Sequence, residues 1–141
     1  MIVKNCFDRP VTRYCVYVDA GRYDRVEQNQ FNFNSYAINL FSYGVYLKNT
    51  TSFSVRDNTF RNFYLGTFSL NSGVAGGEIG YKTTGNLYVN NFRSVVTGGS
   101  NPALRIRCNT TDRQNSSYYF VNFQNQTGTL AQQGNIGLAW A

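Results

Sequence analysis

Ten Arg, three Lys, seven carboxylates, three Cys and no His are the groups with which this 141-residue chain can do chemistry. The lack of imidazole removes the usual general base, proton shuttle and neutral metal ligand of catalysis near pH 7. What remains for acid–base work, or for a hard cation such as calcium, is a convergent pair of carboxylates. The acids are Asp8, Asp19, Asp24, Glu27, Asp57, Glu78 and Asp112. Asp57 follows Arg56 and Asp112 precedes Arg113, a pattern of paired, solvated charge. Asp19, Asp24 and Glu27 form the tightest grouping, and a polysaccharide-cleaving enzyme would use them to hold calcium or as an acid and base. The expectation is nevertheless no catalytic residue, no metal site and no resident cofactor; calcium belongs to the enzymatic alternative alone.

Cys6, Cys15 and Cys108 have neither CxxC spacing nor enough members for a zinc quartet, and an odd number leaves at least one thiol free. The glycines of SGVAGGEIG lack the strand-to-helix context and the Lys-Ser/Thr of a phosphate cradle, so they read as a loop entering a strand. The net charge of +6 is spread along the chain without a run or stripe, which argues against a nucleic-acid partner. Mean hydropathy is −0.37, and no apolar run approaches the ~20 residues of a spanning helix, so membrane insertion is not expected.

The elements that position these groups follow from composition and repetition. The chain is rich in Asn, Gly, Tyr and Phe and poor in helix formers, which excludes an all-helical fold. An aliphatic-x-x-Asn-x-Phe pattern recurs at Ile2-Asn5-Phe7, Val26-Asn29-Phe31, Val55-Asn58-Phe60 and Leu87-Asn90-Phe92, with a degenerate copy at Ile106-Asn109-Thr111. Thirteen residues before Asn29 and Asn58 stand Val16-Tyr17-Val18 and Val45-Tyr46-Leu47, and the third unit offers Gly77-Glu78-Ile79 at that offset. Units that keep strand positions and vary one loop, here segments 8–15, 32–44 and 61–76, bury an apolar face by stacking on one another. The expected fold is therefore all-β, a parallel β-helix of about five irregular coils. Residues 1–112 are its coils, and residues 113–141 a divergent final coil and loop of the same domain.

Strand alternation places Val16, Val18, Val45, Leu47, Phe53, Val55, Leu87, Val89, Leu104, Ile106 and Cys108 in the core. Asn5, Asn29, Asn58, Asn90 and Asn109 then form an amide ladder at a bend, where Asn accepts left-handed backbone geometry and bonds its neighbours above and below. On the outside, Asp19 meets Lys48 and Glu27 meets Arg56 across adjacent strands. Tyr17 and Tyr46 stack outward beside Lys48 and Arg56, the amphipathic surface with which a sheet contacts a glycan. Arg105 and Arg107 put two more cations on one outer face, facing solvent or an acidic polymer.

VYLKNTTSFSVRDNTF and ALRIRCNTT resemble right-handed parallel β-helix repeat proteins, in particular large surface or secreted proteins of Bacteroidota exported by the type IX route. The resemblance covers residues 1 to about 112 and implies the right-handed coil, an extracellular or cell-surface location and a polysaccharide or other surface polymer as partner. Such proteins are long, with a signal peptide and a sorting domain. The chain starts inside a repeat, so it reads as a fragment of a longer protein, and as a bare solenoid it is expected to self-associate end to end. The function implied is a non-enzymatic scaffold or adhesin-like segment contacting glycans. The alternative is a fragment of a polysaccharide lyase or hydrolase, or of a phage tailspike.

Overall fold

Short runs of β-branched and aromatic residues broken by Asn, Gly and Ser become strands. In the computed structural model of the chain, residues 1–3, 5–8, 13–33, 42–112, 119–127, 131–133 and 136–137 are described. Their strands are β1 (Ile2–Val3), β2 (Cys6–Asp8), β3 (Tyr14–Asp19), β4 (Asp24–Glu27), β5 (Gln30–Asn32), β6 (Tyr43–Lys48), β7 (Phe53–Arg56), β8 (Thr59–Arg61) and β9 (Leu65–Leu70). There follow β10 (Gly77–Ile79), β11 (Leu87–Val89), β12 (Arg93–Ser100), β13 (Leu104–Arg107), β14 (Thr110–Asp112), β15 (Tyr119–Thr127), β16 (Ala131–Gln133) and β17 (Ile136–Gly137).

Every third strand joins the same sheet. The first sheet runs β1-β4-β7-β10-β13-β16, the second β2-β5-β8-β11-β14-β17 and the third β3-β6-β9-β12-β15. All pairings between these strands are parallel, so the chain is an all-β parallel β-solenoid. In place of the expected five or so coils, three turns are continuous, since residues 42–112 are described without a break and carry β6 to β14. The strands on either side lengthen the same stacks. Among the described residues no helix is long and apolar enough to cross a membrane.

The core is a set of columns. Val26, Val55, Ile79 and Ile106 stack in the first sheet, each in register with the next. In the second sheet Phe31, Phe60 and Tyr88 stack nearly face to face, with centroids 4.9 and 5.0 Å apart. Tyr88 is wholly buried, and its hydroxyl lies 2.9 Å from Thr67 Oγ1. Leu87 and Val89, expected inward, flank Tyr88 and are only half-buried. Leu87–Val89 belongs to the second sheet, in register with Thr59–Arg61, so Tyr88 takes the inward column of Phe60 and its two neighbours face outward. Cys108 also leaves the core: it is a half-buried corner residue at φ 53° whose thiol donates to the Lys82 carbonyl.

One insertion displaces the repeat. Asn86 follows Ile79 by seven positions where Asn58 follows Val55 by three, the added residues forming a turn closed by a Tyr81–Thr84 bridge. Asn86, not Asn90, therefore holds the rung between Asn58 and Asn109. Asn29 Oδ1 accepts from the backbone N and Nδ2 of Asn5, Asn58 Oδ1 from those of Asn29, Asn86 Oδ1 from those of Asn58, and Asn109 Oδ1 from those of Asn86, at 2.9–3.3 Å. The remaining Nδ2 hydrogens of Asn29, Asn58, Asn86 and Asn109 go to the carbonyls of Ile2, Val26, Val55 and Ile79. Asn90 belongs to another corner, where its Nδ2 donates to Asn62 Oδ1 at 2.8 Å.

The ladder asparagines do not themselves adopt the left-handed backbone. At Asn29, Asn58 and Asn109 that conformation falls on the preceding residue, Gln28, Asp57 and Cys108, at φ 57°, 56° and 53°. Turning the corner one residue early lets the Asn side chain point inward, where both amide hydrogens and the amide oxygen find partners. Two expected segments also move. Segment 61–76, expected as a variable loop, contains strand β9. Gly77–Ile79 lies in the first sheet opposite Phe53–Val55, while the register partner of Tyr46 is Phe68.

Candidate functional site

Among the described residues an aromatic surface is built on the third sheet. Strict alternation would put Tyr43 and Tyr46 on opposite faces. They share one face because two consecutive residues between them, Gly44 and Val45, both point inward; Val45 is in the core, and a Cβ on Gly44 would lie 2.5 Å from Phe60 Cδ1. The same Cβ would lie 2.6 Å from the Gly66 carbonyl oxygen, so only glycine lets the strand settle this close over the ring.

Parallel register then brings like positions together: Tyr14 beside Tyr43, and Tyr17 beside Tyr46, which in turn faces Phe68. Ring centroids are 5.0 Å apart for Tyr14–Tyr43, 5.4 Å for Tyr17–Tyr46 and 4.8 Å for Tyr46–Phe68. Tyr14–Tyr46, diagonally across the strands, and Tyr43–Tyr46, along one strand, close the group at 5.4 Å each. The result is a terrace of five rings, of which Tyr17 is the most open at 48% exposure. Tyr14, Tyr43 and Phe68 were not among the expected contact residues. Their signal was a Tyr-x-x-Tyr repeat, YCVY and YGVY, whose shared face depends on the doubled inward pair.

A polar edge borders the terrace. Asp19 Oδ2 accepts from Lys48 Nζ and from the Tyr17 hydroxyl, both at 3.2 Å, and Asp19 Oδ1 accepts from Asn49 Nδ2 at 3.1 Å. The Lys48 hydrogen bond leads in holding the Asp19 carboxyl below its ordinary range, and the same bond raises Lys48. Burial among the rings raises the Tyr43 and Tyr46 phenols, and the Tyr17 phenol is raised by burial and then by its bond to Asp19. At neutral pH the terrace thus offers protonated hydroxyls beside a fixed ion pair.

Arg56 is not part of this surface. It lies on the first sheet, where its Nε is 3.0 Å from Glu27 Oε1, and its guanidinium carbon stands 5.3 Å from the Tyr81 ring centroid. The expected cross-strand pairs are in register, Asp19 with Lys48 and Glu27 with Arg56. Asp19, Asp24 and Glu27 nonetheless do not converge: Asp19 ends a third-sheet strand, Glu27 faces the arginines, and Asp24 shares a column with the core residue Phe53. Among the described residues no group of three His, Cys, Asp or Glu is placed to hold a metal.

Glu27 is only 5% exposed and accepts from Arg25 Nε and Nη2 at 3.0 and 2.8 Å and from Arg56 Nη2 at 3.3 Å. The Arg25 bonds, followed by those of Arg56, hold its carboxyl below the ordinary value near 4.5 against the opposing effect of burial. A lowered folded value means stability that is fully present above the ordinary value and lost as pH falls through the folded one. Glu27→Gln is therefore expected to cost about 1–2 kcal/mol at pH 7 and to flatten the decline in urea midpoint between pH 7 and pH 3. Equal acid slopes in variant and parent would refute this role.

The outer face of the first sheet is a second charged site. Arg107 Nη2 lies 2.6 and 2.8 Å from the two Glu78 oxygens, and Arg105 Nη1 is 3.6 Å from Glu78 Oε1. Tyr81, brought there by the four-residue insertion, has Arg56, Arg107 and Lys82 within 5.3–5.6 Å of its ring centroid. Comparison of the chain with family models, with curated proteins and with solved structures finds no match.

Proposed function

We propose that this chain is a non-enzymatic β-helix scaffold segment of an exported bacterial surface protein, and that the third-sheet terrace contacts glycans. The supporting observation is the contiguity of five outward rings across three neighbouring strands, with Tyr17 48% exposed. Apolar C–H faces of sugars pack on such rings while sugar hydroxyls bond to the phenols and to the polar edge of Asp19, Lys48 and Asn49. The resemblance of the repeats to Bacteroidota surface proteins supports an extracellular setting and a surface polymer as partner.

A terrace that served only to pair strands would contribute roughly 0.2–1 kcal/mol per cross-strand ring pair to stability and nothing to binding. The test is a glycan panel read by affinity electrophoresis, using the parent chain and the double variant Tyr17→Ala, Tyr46→Ala. Binding by the parent and a loss of tenfold or more in the variant, with its thermal unfolding retained, is the expected result. Equal retention of both proteins by every glycan would refute the contact role. Shortening of a bound polysaccharide would refute the non-enzymatic reading and favour the lyase or hydrolase alternative.

A further inference from the structure

We propose that the outer face of the first sheet is a second binding surface, electrostatic in character, for an acidic polysaccharide bearing carboxylates. It is separate from the aromatic terrace and does not depend on it. The first observation is charge excess. Glu27 is shared by Arg25 and Arg56 and Glu78 by Arg105 and Arg107, so on this face four guanidiniums meet two carboxylates.

The second observation is that part of this charge is open to solvent. The Arg105 side chain is 59% exposed, and its 3.6 Å approach to Glu78 is too long for a hydrogen bond. Lys82 is exposed on the inserted turn and adds a fifth cation beside the others. The third observation is the Tyr81 ring, flanked by Arg56, Arg107 and Lys82. A ring bordered by cations matches a uronic-type sugar, whose C–H face packs on the ring while its carboxylate meets the guanidinium or ammonium.

Charge complementarity selects a polymer of intermittent charge. Glu27 and Glu78, interleaved with the cations, repel the continuous phosphate of a nucleic acid but tolerate carboxylates separated by neutral sugar atoms. The inserted turn is what creates the site. It adds Tyr81 and Lys82 where the neighbouring units have only a direct corner.

Carboxymethylcellulose and hydroxyethylcellulose share one backbone and differ in charge, so affinity electrophoresis of the whole chain in each isolates the electrostatic contribution. Retardation by the carboxymethyl polymer is expected to be about tenfold or more stronger than by the neutral one, and to weaken as salt rises from about 20 to about 300 mM because exposed charge is screened. Lys82→Gln with Arg105→Gln should abolish that difference, whereas Tyr17→Ala with Tyr46→Ala should leave it intact. Indifference to polymer charge overturns the proposal, as does loss of the difference in the Tyr variant. Tighter binding to single-stranded DNA than to the carboxymethyl polymer, through the same Lys82 and Arg105, also overturns it by changing the occupant. Failure of the terrace to bind any neutral glycan would leave this result unaffected.

Discussion

Asn58→Ala is expected to lower the stability of the solenoid by about 3–5 kcal/mol, because one side chain satisfies four buried partners. Asn58 is 1% exposed; its Oδ1 accepts from the N and Nδ2 of Asn29, and its Nδ2 donates to Val26 O and Asn86 Oδ1. Alanine takes the acceptor from the Asn29 N–H and from one Asn29 Nδ2 hydrogen, and takes a donor from Val26 O and from Asn86 Oδ1, which keeps the backbone N–H of residue 58; each buried group left unsatisfied costs roughly 1–3 kcal/mol before relaxation or entry of water. The matched control is Asn90→Ala, which removes a half-buried amide and its bond to Asn62 Oδ1 and is expected to cost about 1 kcal/mol or less. Urea unfolding followed by far-UV circular dichroism measures both. Equal costs at the two positions would mean that the ladder at Asn58 has no special weight.

Phe60→Ala ranks beside it, with an expected loss of about 3–5 kcal/mol from removal of a buried ring and the cavity left behind. The ring is fully buried and stacked between Phe31 at 4.9 Å and Tyr88 at 5.0 Å, so its deletion breaks the column in the middle. A finer version separates shape from polarity. Tyr88 keeps its hydroxyl because Thr67 lies 2.9 Å away, but the residue in register with Thr67 on the preceding strand is Val45. Phe60→Tyr is therefore expected to cost about 1–3 kcal/mol despite near-identical shape, and Val45→Thr in the same protein to recover part of it. Calorimetric melting of the three variants measures this coupling. A Phe60→Tyr protein as stable as the parent would show that the hydroxyl finds another partner.

Both predictions act through contacts made between turns, and burial tunes the chemistry of the interior in the same way. The Cys15 thiol, half-buried against the core, is pushed up to about 12 by desolvation and stays protonated at neutral pH. The aromatic terrace obeys the same logic from outside, since each ring shields its neighbours and leaves Tyr17 the open face.

What the sequence by itself determined was the kind of fold and much of its register. Val26, Val55 and Ile106 recur three residues before Asn29, Asn58 and Asn109, and that spacing is local, so it survives in the bare string. The pairing of Asp19 with Lys48 and of Glu27 with Arg56 was legible for the same reason, because equal offsets in two units become neighbours once the strands are parallel. Tertiary structure decided where the unit length changes. The insertion between Ile79 and Asn86 let Leu87-Asn90-Phe92 imitate the repeat, and only the inter-turn bonds of Asn86 and the stacking of Tyr88 on Phe60 identify the true rung.

The surfaces divide in the same manner. Tyr17, Tyr46 and Lys48 come together because one strand and its parallel partner carry them, whereas Arg56 stands one sheet away beyond a corner. Tyr14, Tyr43 and Phe68 join the terrace only because Gly44 and Val45 both turn inward, a break in alternation that depends on the fit of Gly44 over the Phe60 ring. The Tyr81 cluster likewise exists only in three dimensions: Arg56 on β7 and Arg107 on β13 stand on either side of β10, and the turn that follows β10 brings Tyr81 and its neighbour Lys82 between them. Local periodicity specifies which face a residue takes; the packing of one turn on the next specifies which residues share that face.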